Sequence, residues 1–210
     1  MTLNINYKHW NEGYKKYTLQ KPKYDLWLDK HSNILTESKD TPIIDLGCGL
    51  GNDSLYLLER GYKVISCDFF EVAINRVKEL VPGAQGMVMD MLNGLPFEDS
   101  SIKVLIADLS LHYFYWKDTM RIVNEISRVL TPGGYLLSRL NSTKDINHGA
   151  NQGTIIEKNY YAINDTMKRF FDKEDIVKLF RGWNIKYINE YEICRYEFPK
   201  ILWEIALKNS

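Results

Sequence analysis

The sequence predicts a doubly wound α/β protein with a mostly parallel sheet. Three observations carry that expectation. Strand-like and helix-like segments alternate from residue 43 to residue 140. A turn with three alternating glycines, Gly47-Cys48-Gly49-Leu50-Gly51, links the first strand of the series to its first helix. Ile102–Ala107 is a near-continuous apolar run, as expected for a strand covered on both faces. Strands alternating with helices of this length make right-handed βαβ units, and their C-terminal ends share the edge where ligands bind.

Each element has its own signal. Ile43–Leu46 is the first strand, and Asp53–Arg60 is a helix with Leu55 and Leu58 three apart, stopped by Gly61. Tyr62–Cys67 is the second strand and ends at Asp68. Glu71–Leu80 is a helix with a loose stripe of Val72, Ile74, Val77 and Leu80, ended by Pro82-Gly83. Gly86–Met89 is a third strand closed by Asp90, and Leu95–Ser101 is a turn. Lys117–Leu130 carries Ile122, Val123, Ile126, Val129 and Leu130 on one side of a helix that Pro132-Gly133-Gly134 halts, and Tyr135–Leu140 is the fifth strand.

The pattern changes after Leu140. Residues 141–170 are polar and lack clear periodicity, which points to an insertion or lid rather than a plain connector. Phe171–Ile176 is a capped helix start, with Phe171 and Ile176 placed for a hydrophobic staple, and that helix runs to about Arg181. Ile185–Ile193 and Ile201–Leu207 are two final strand-like segments. The chain is expected to be one domain: an N-terminal helical cap (1–40), a ligand-binding core (41–140), the insertion (141–170), and a C-terminal helix with strands (171–210).

Composition narrows the function. Lys plus Arg and Asp plus Glu balance at 27 each, so the chain lacks the basic excess of a nucleic-acid binder. Cys48, Cys67 and Cys194 form no Cys-x-x-Cys pair, which argues against a disulfide framework or a zinc site; no metal is expected. The N-terminus has no apolar core, and no apolar run approaches the ~20 residues of a membrane span. A cytoplasmic protein without membrane or nucleic-acid partners is the expectation, as a monomer or homodimer.

The glycine turn is the main functional signal. Glycine lets such a turn be tight and lets a ligand lie on the backbone, while the following helix offers free N–H groups. A dinucleotide site needs Gly-x-Gly-x-x-Gly, but the sixth position from Gly47 is Asn52. What stands here is Asp45-x-Gly47-x-Gly49-x-Gly51, which resembles the first motif of the class I S-adenosylmethionine-dependent methyltransferases. Asp68, Asp90 and the Thr131-Pro132-Gly133-Gly134 before the fifth strand follow in that family's order. The LGCGLGNDSLYLLERGYKV stretch is similar to the small-molecule branch that includes the tellurite-resistance and thiopurine methyltransferases. The resemblance implies a Rossmann-like sheet of seven strands whose last strand is antiparallel.

It also implies a set of contacts with S-adenosylmethionine, released as S-adenosylhomocysteine. Asp45, Gly47, Cys48, Gly49, Gly51 and Asn52 would seat the methionine part. Asp68 would accept from the ribose hydroxyls, Phe69 would cover the adenine, and Asp90 with the Met91 backbone would bond its edge; Asp90 is equally suited to capping a turn. Asp108 and Leu109 would pass beneath the sulfonium and open onto the acceptor. His112, Asp108 and Tyr160 are the candidate catalytic groups, with His148 behind them. Tyr160-Tyr161 could wall the acceptor pocket, Arg139 and Asn141 could orient a polar acceptor, and Trp10, Tyr14 and Tyr17 could close over the cofactor. The acceptor is expected to be a small molecule. Two other readings stay open: a NAD(P)-dependent oxidoreductase, favoured by the glycines and Asp68, and a non-catalytic protein that binds S-adenosylmethionine.

Overall fold

The computed structural model describes residues 2–16 and 21–210. Its elements in chain order begin with helix α1 (Thr2–Lys16), a short helix α2 (Ser32–Leu35) and strand β1 (Ile43–Leu46). Helix α3 (Asn52–Glu59), β2 (Val64–Asp68), α4 (Glu71–Leu80) and β3 (Gln85–Val88) follow. Then come β4 (Ile102–Asp108), α5 (Trp116–Val129) and β5 (Leu130–Asn141). Strands β6 (Thr154–Glu157), β7 (Tyr160–Ile163) and β8 (Thr166–Arg169) precede α6 (Lys173–Leu179), β9 (Asn184–Ile193) and β10 (Lys200–Lys208).

The seven-stranded sheet has the order β3-β2-β1-β4-β5-β10-β9. Its first five strands are parallel, and β10 runs antiparallel to both β5 and β9. The period of two in each strand sorts side chains onto two faces. Ile44, Leu46, Leu105, Ala107 and Leu136 face α5 and α6, meeting Ile122, Ile126, Val129, Ile176 and Leu179. Ile43, Val104, Ile106 and Leu137 face the other way, onto Trp27, Leu28, Leu35, Tyr56 and Leu57. Two-sided coverage is why β1 and β4 have so few polar positions.

Two segments depart from expectation. Strand β5 begins at Leu130 instead of Tyr135, because the Pro-Gly-Gly segment makes an irregularity within the strand: Leu130 pairs with Ile102 and Tyr135 with Val104. Residues 141–170 are not an irregular lid; β6, β7 and β8 form a three-stranded antiparallel sheet. Its turns place Asn159 at φ 57° and Asn164 at φ 51°, and asparagine tolerates the left-handed region. Strands of four residues are too short for period-two alternation to show. Helix α6 opens with a capping box between Asp172 and Asp175, as the sequence suggests. No described helix is long and apolar enough to cross a membrane.

Candidate active site

A cavity of about 860 Å³ opens at the C-terminal ends of β1, β2 and β4. The chain must turn sharply there, and glycine decides how. Gly47 has φ 77°, and a Cβ on it would collide with Ser110 Cβ. Gly49 has φ 52° and lies beneath the Tyr14 ring. Gly51 does not line the cavity: it opens α3, and a Cβ there would stand 3.0 Å from Val77 and 3.2 Å from Val81. Its glycine serves helix packing, not ligand contact. After β4 the turn falls on a residue with a side chain, Leu109 at φ 50°, with its N–H donating to Arg139 O at 3.0 Å. A non-glycine residue in that region stores strain, a feature concentrated at functional sites.

Acidic side chains crowd this edge. Asp45 is 2% exposed and accepts from Ser54 Oγ at 2.6 Å, which also meets Ser66 Oγ at 2.6 Å. Burial, only partly offset by the Ser54 hydrogen bond, and the nearby Asp108 charge push its carboxyl up to about 7. Asp53 sits beside them, accepting from Trp27 Nε1 at 3.0 Å, and burial with the Asp108 and Asp45 charges raises it well above the carboxylate range. Asp68 accepts from Gly49 N–H and Phe70 N–H, each at 2.9 Å; burial raises it and those backbone bonds oppose the shift. A carboxylate has about four lone-pair positions. Asp68 also takes a backbone hydrogen bond from Phe69 and keeps part of its acceptor capacity toward the cavity. Asp90 caps the turn at Met91–Asn93 through Leu92 N–H at 2.9 Å and also lines the cavity, so both of its anticipated uses are compatible.

Cys48, Asn52, Phe69, Met91 and Leu109 line the same space, as does Ser110 in the segment after β4, together with Asp25 and Phe70, for which the sequence offered no signal. Helix α1 closes one side. Asn6 accepts from Met167 N–H at 2.7 Å and donates to Tyr113 O at 3.4 Å. Trp10 stacks on Tyr14 with ring centres 5.6 Å apart, and Tyr14 meets Phe70 edge-on. Tyr17 lies outside the described residues.

The candidate catalytic groups divide. His112 lines the cavity from the turn at Leu111–Tyr113, is 3% exposed, and its Nδ1 has no partner among the described residues. Burial, reinforced by Lys200 and Lys168, holds its pKa well below the usual histidine range, so the ring is neutral at pH 7. Asp108 also lines the cavity, but Arg139 Nε and Nη2 each donate to it at 2.7 Å, one to each oxygen. Arg139 is neither at the surface nor in the cavity. It is fully buried under the Trp27 ring, and it also donates to Asp25 at 2.7 Å. It neutralises the acids instead of touching an acceptor. Burial works against its charge, and Asp108 with Asp25 more than restores it.

Tyr160 and Tyr161 do not line the cavity. Tyr160 is fully buried and donates to Tyr113 O at 2.9 Å, because β7 is the middle strand of the small sheet. Tyr161 donates to Asn151 at 3.0 Å and packs on Phe170. Asn141 and His148 do line the cavity, as do Lys168, Arg195, Tyr196 and Lys200, which the sequence did not single out.

The fold has counterparts among known proteins. Residues 44–138 match the family described as methyltransferase domain. A methyltransferase from Methanosarcina mazei, described as S-adenosylmethionine-dependent, superposes with a TM-score of 0.75 at 25% identity over 88% of this chain and 98% of its own. This is the class I S-adenosylmethionine-dependent methyltransferase fold. The 1,6-didemethyltoxoflavin N1-methyltransferase of Burkholderia thailandensis, solved with S-adenosylhomocysteine, has the same fold at 15% identity and a TM-score of 0.70. It covers all of this chain and aligns over 88% of its own. A tRNA N(3)-cytidine methyltransferase of Danio rerio is 28% identical over 163 residues, 71% of this chain and 46% of its own length. A probable tRNA methyltransferase 9B of Homo sapiens is 36% identical over 111 residues, 50% of this chain and 22% of its own. The chain spans less than half the length of these curated relatives. The fold and the match over residues 44–138 are similar to those of S-adenosylmethionine-dependent methyltransferases, which favours that reading over the nicotinamide one.

Proposed function

We propose that this chain transfers a methyl group from S-adenosylmethionine to a small-molecule acceptor. The observation that carries the reading is the acidic edge capped by α1 and the small sheet. When bound, the donor supplies an electrophilic methyl on a sulfonium. The residues would hold it by charge and hydrogen bonding: Asp45 toward the ammonium group, the remaining acceptor capacity of Asp68 toward the ribose hydroxyls, and Asp90 with the Met91 backbone toward the adenine edge. Cys48, Gly49 and Asn52 flank the amino-acid part, and Phe69 covers the ring. Charge-assisted bonds of this kind are about twice as strong as neutral ones.

In-line displacement gains most from holding donor and acceptor ~3 Å apart in line, worth several kcal/mol. A base is needed only if the acceptor carries a proton, and it then adds roughly 10²–10⁴-fold. Neutral His112 is the residue able to take that proton. Asp108, committed to Arg139, holds the floor of the site, and Tyr160 positions Tyr113.

The curated relatives favour a second reading, an acceptor base in tRNA. Balanced charge and a cavity covered on the acceptor side support the small molecule. Two measurements decide. Calorimetry with S-adenosylhomocysteine reports donor binding, and its absence at millimolar ligand ends the methyltransferase reading. Radiolabelled methyl transfer to bulk tRNA against a panel of small nucleophiles then separates the acceptors; label in tRNA alone overturns the small-molecule reading.

A further inference from the structure

Acids at or just beyond the ends of β1 to β4 line one part of the cavity, with Lys23 and Asp25 from the segment before α2 and Asp118 from α5, while the cations Lys168, Arg195 and Lys200 come from β8 and the segment entering β10. Arg195 donates to Asp25 at 2.9 Å and so belongs to the acidic cluster. Lys200 is 7% exposed and donates to Asp145 Oδ2 at 2.8 Å. Asp145 is itself divided, since it also meets His148 Nδ1 at 2.8 Å and Ile201 N–H at 3.2 Å. Lys168 makes no ion pair or side-chain hydrogen bond with any described residue. Burial and the neighbouring Lys200 charge hold its ammonium below the usual lysine range, and the attraction of Asp145, already engaged by Lys200, offsets them only in part. Two desolvated ammonium groups close enough to repel each other carry a cost that a nearby anion removes.

The polar atoms beside them lack partners as well. His112 Nδ1 and Asn141 Oδ1 are buried without a hydrogen bond among the described residues, and both residues line the cavity; in its Nδ1–H tautomer His112 donates to an anion, whereas Asn141 Oδ1 accepts and calls for a donor elsewhere on the ligand. Such groups are rare in folded proteins, and a bound ligand is one reason for them. Tyr113 and Tyr196 add aromatic wall; the latter sits edge-on to His148 with centres 5.6 Å apart.

We propose that this side of the cavity is an anion subsite, so that the acceptor is a small molecule bearing a carboxylate or phosphate group bound by Lys168 and Lys200 next to His112 and Asn141. The inference rests on the methyltransferase reading above and names its acceptor class. The unpaired Lys168 is the group whose charge the acceptor completes. Lys200 is half neutralised by Asp145 and sets the anion's position.

The test is calorimetry on the full chain with saturating S-adenosylhomocysteine, titrating benzoate, phenyl phosphate and benzamide in turn. At least one of the two anions is expected to bind about tenfold or more tighter than benzamide, as one charge-assisted hydrogen bond implies. Benzoate in front indicates carboxylic acids; phenyl phosphate in front indicates phosphate esters. Lys168→Met should abolish the preference and Lys168→Arg should keep it, both with unchanged melting temperature and S-adenosylhomocysteine affinity. Equal binding of all three probes, or a preference that survives in K168M, overturns the proposal. So does an RNA oligonucleotide that binds through Lys168 where neither small anion does. Loss of S-adenosylhomocysteine binding in the wild type is read in the first titration and defeats the underlying methyltransferase reading, and the proposal with it.

Discussion

The two sides of the cavity are built by different means. On the donor side, each polar group lies within a few residues of a strand end, and its position follows from the backbone turn: Asp45 near the end of β1 with Gly47 just past it, Asp68 at the end of β2, Asp90 just past β3, Asp108 at the end of β4. On the acceptor side, Asn141, His148, Lys168 and Lys200 come from four separated stretches and reach one space on side chains of varied length. Short polar residues on a rigid edge suit a ligand whose shape never changes. Long side chains on added elements suit one that differs from enzyme to enzyme. On the proposed function, the contrast makes cofactor choice a property of the sheet and acceptor choice a property of what was placed over it.

The largest expected effect concerns the joint between the halves. Arg139 holds Asp108 and Asp25 together beneath the cavity. Arg139→Met should destabilise the fold by about 3–5 kcal/mol, because removing one partner leaves buried charge uncompensated. Urea denaturation measures it, and a loss under ~1 kcal/mol would mean the acids are not held by this residue.

Asp68→Ala comes next and should confine its damage to the donor side. S-adenosylhomocysteine affinity should fall by about 1.5–3 kcal/mol, roughly 10–150-fold. Anion binding in the acceptor subsite should persist. An unchanged affinity for S-adenosylhomocysteine would show that the nucleoside does not lie where the acids suggest.

Protonation sharpens the same comparison. Asp45 has its pKa raised by burial from 3.8 to about 7 in the folded chain. A raised acid stabilises the empty fold at low pH, and that contribution fades as pH climbs from the unfolded value through about 7. A cationic donor prefers the ionised carboxylate, so below pH 7 its binding must expel a proton. Donor affinity should therefore increase with pH up to about 7 and level off above. Asp53 and Asp68 shift in the same direction, so Asp45→Asn should lessen the slope without abolishing it. Calorimetry in buffers of different ionisation enthalpy counts the protons; a wild-type affinity flat with pH contradicts the assignment.

Tyr160→Phe should have the smallest effect. It removes the hydrogen bond to Tyr113 O and nothing in the cavity, so about 1 kcal/mol of stability should go with little change in donor affinity. A thermal melt with a parallel S-adenosylhomocysteine titration checks this. A complete loss of methyl transfer with unchanged stability would return Tyr160 to the list of catalytic groups.

Legibility divides along the same line. The glycine turn, Asp45, Asp68 and Asp90 could be read because strand ends, glycines and acids are close neighbours in the chain. Tyr160 misled because a tyrosine pair in a polar stretch looks like a pocket wall when the short strands that bury it leave no periodic trace. Arg139 misled because its partners, Asp108 and Asp25, are distant in sequence, one of them outside the regular alternation. Gly51 reads in the sequence as part of the seat for the methionine part, but it does not line the cavity, and its glycine is required by Val77 and Val81 close above it.

By itself the sequence determined the winding of the sheet and the strand edge where glycines and acids gather, since apolar periodicity and turn chemistry are local and each strand end carries its own acid. Tertiary structure alone decided which cations meet in the cavity, which acids are silenced by Arg139, and that residues 154–169 fold as a sheet. Those outcomes depend on contacts between distant segments, and charge or burial at one position has no meaning until its neighbours across the fold are in place.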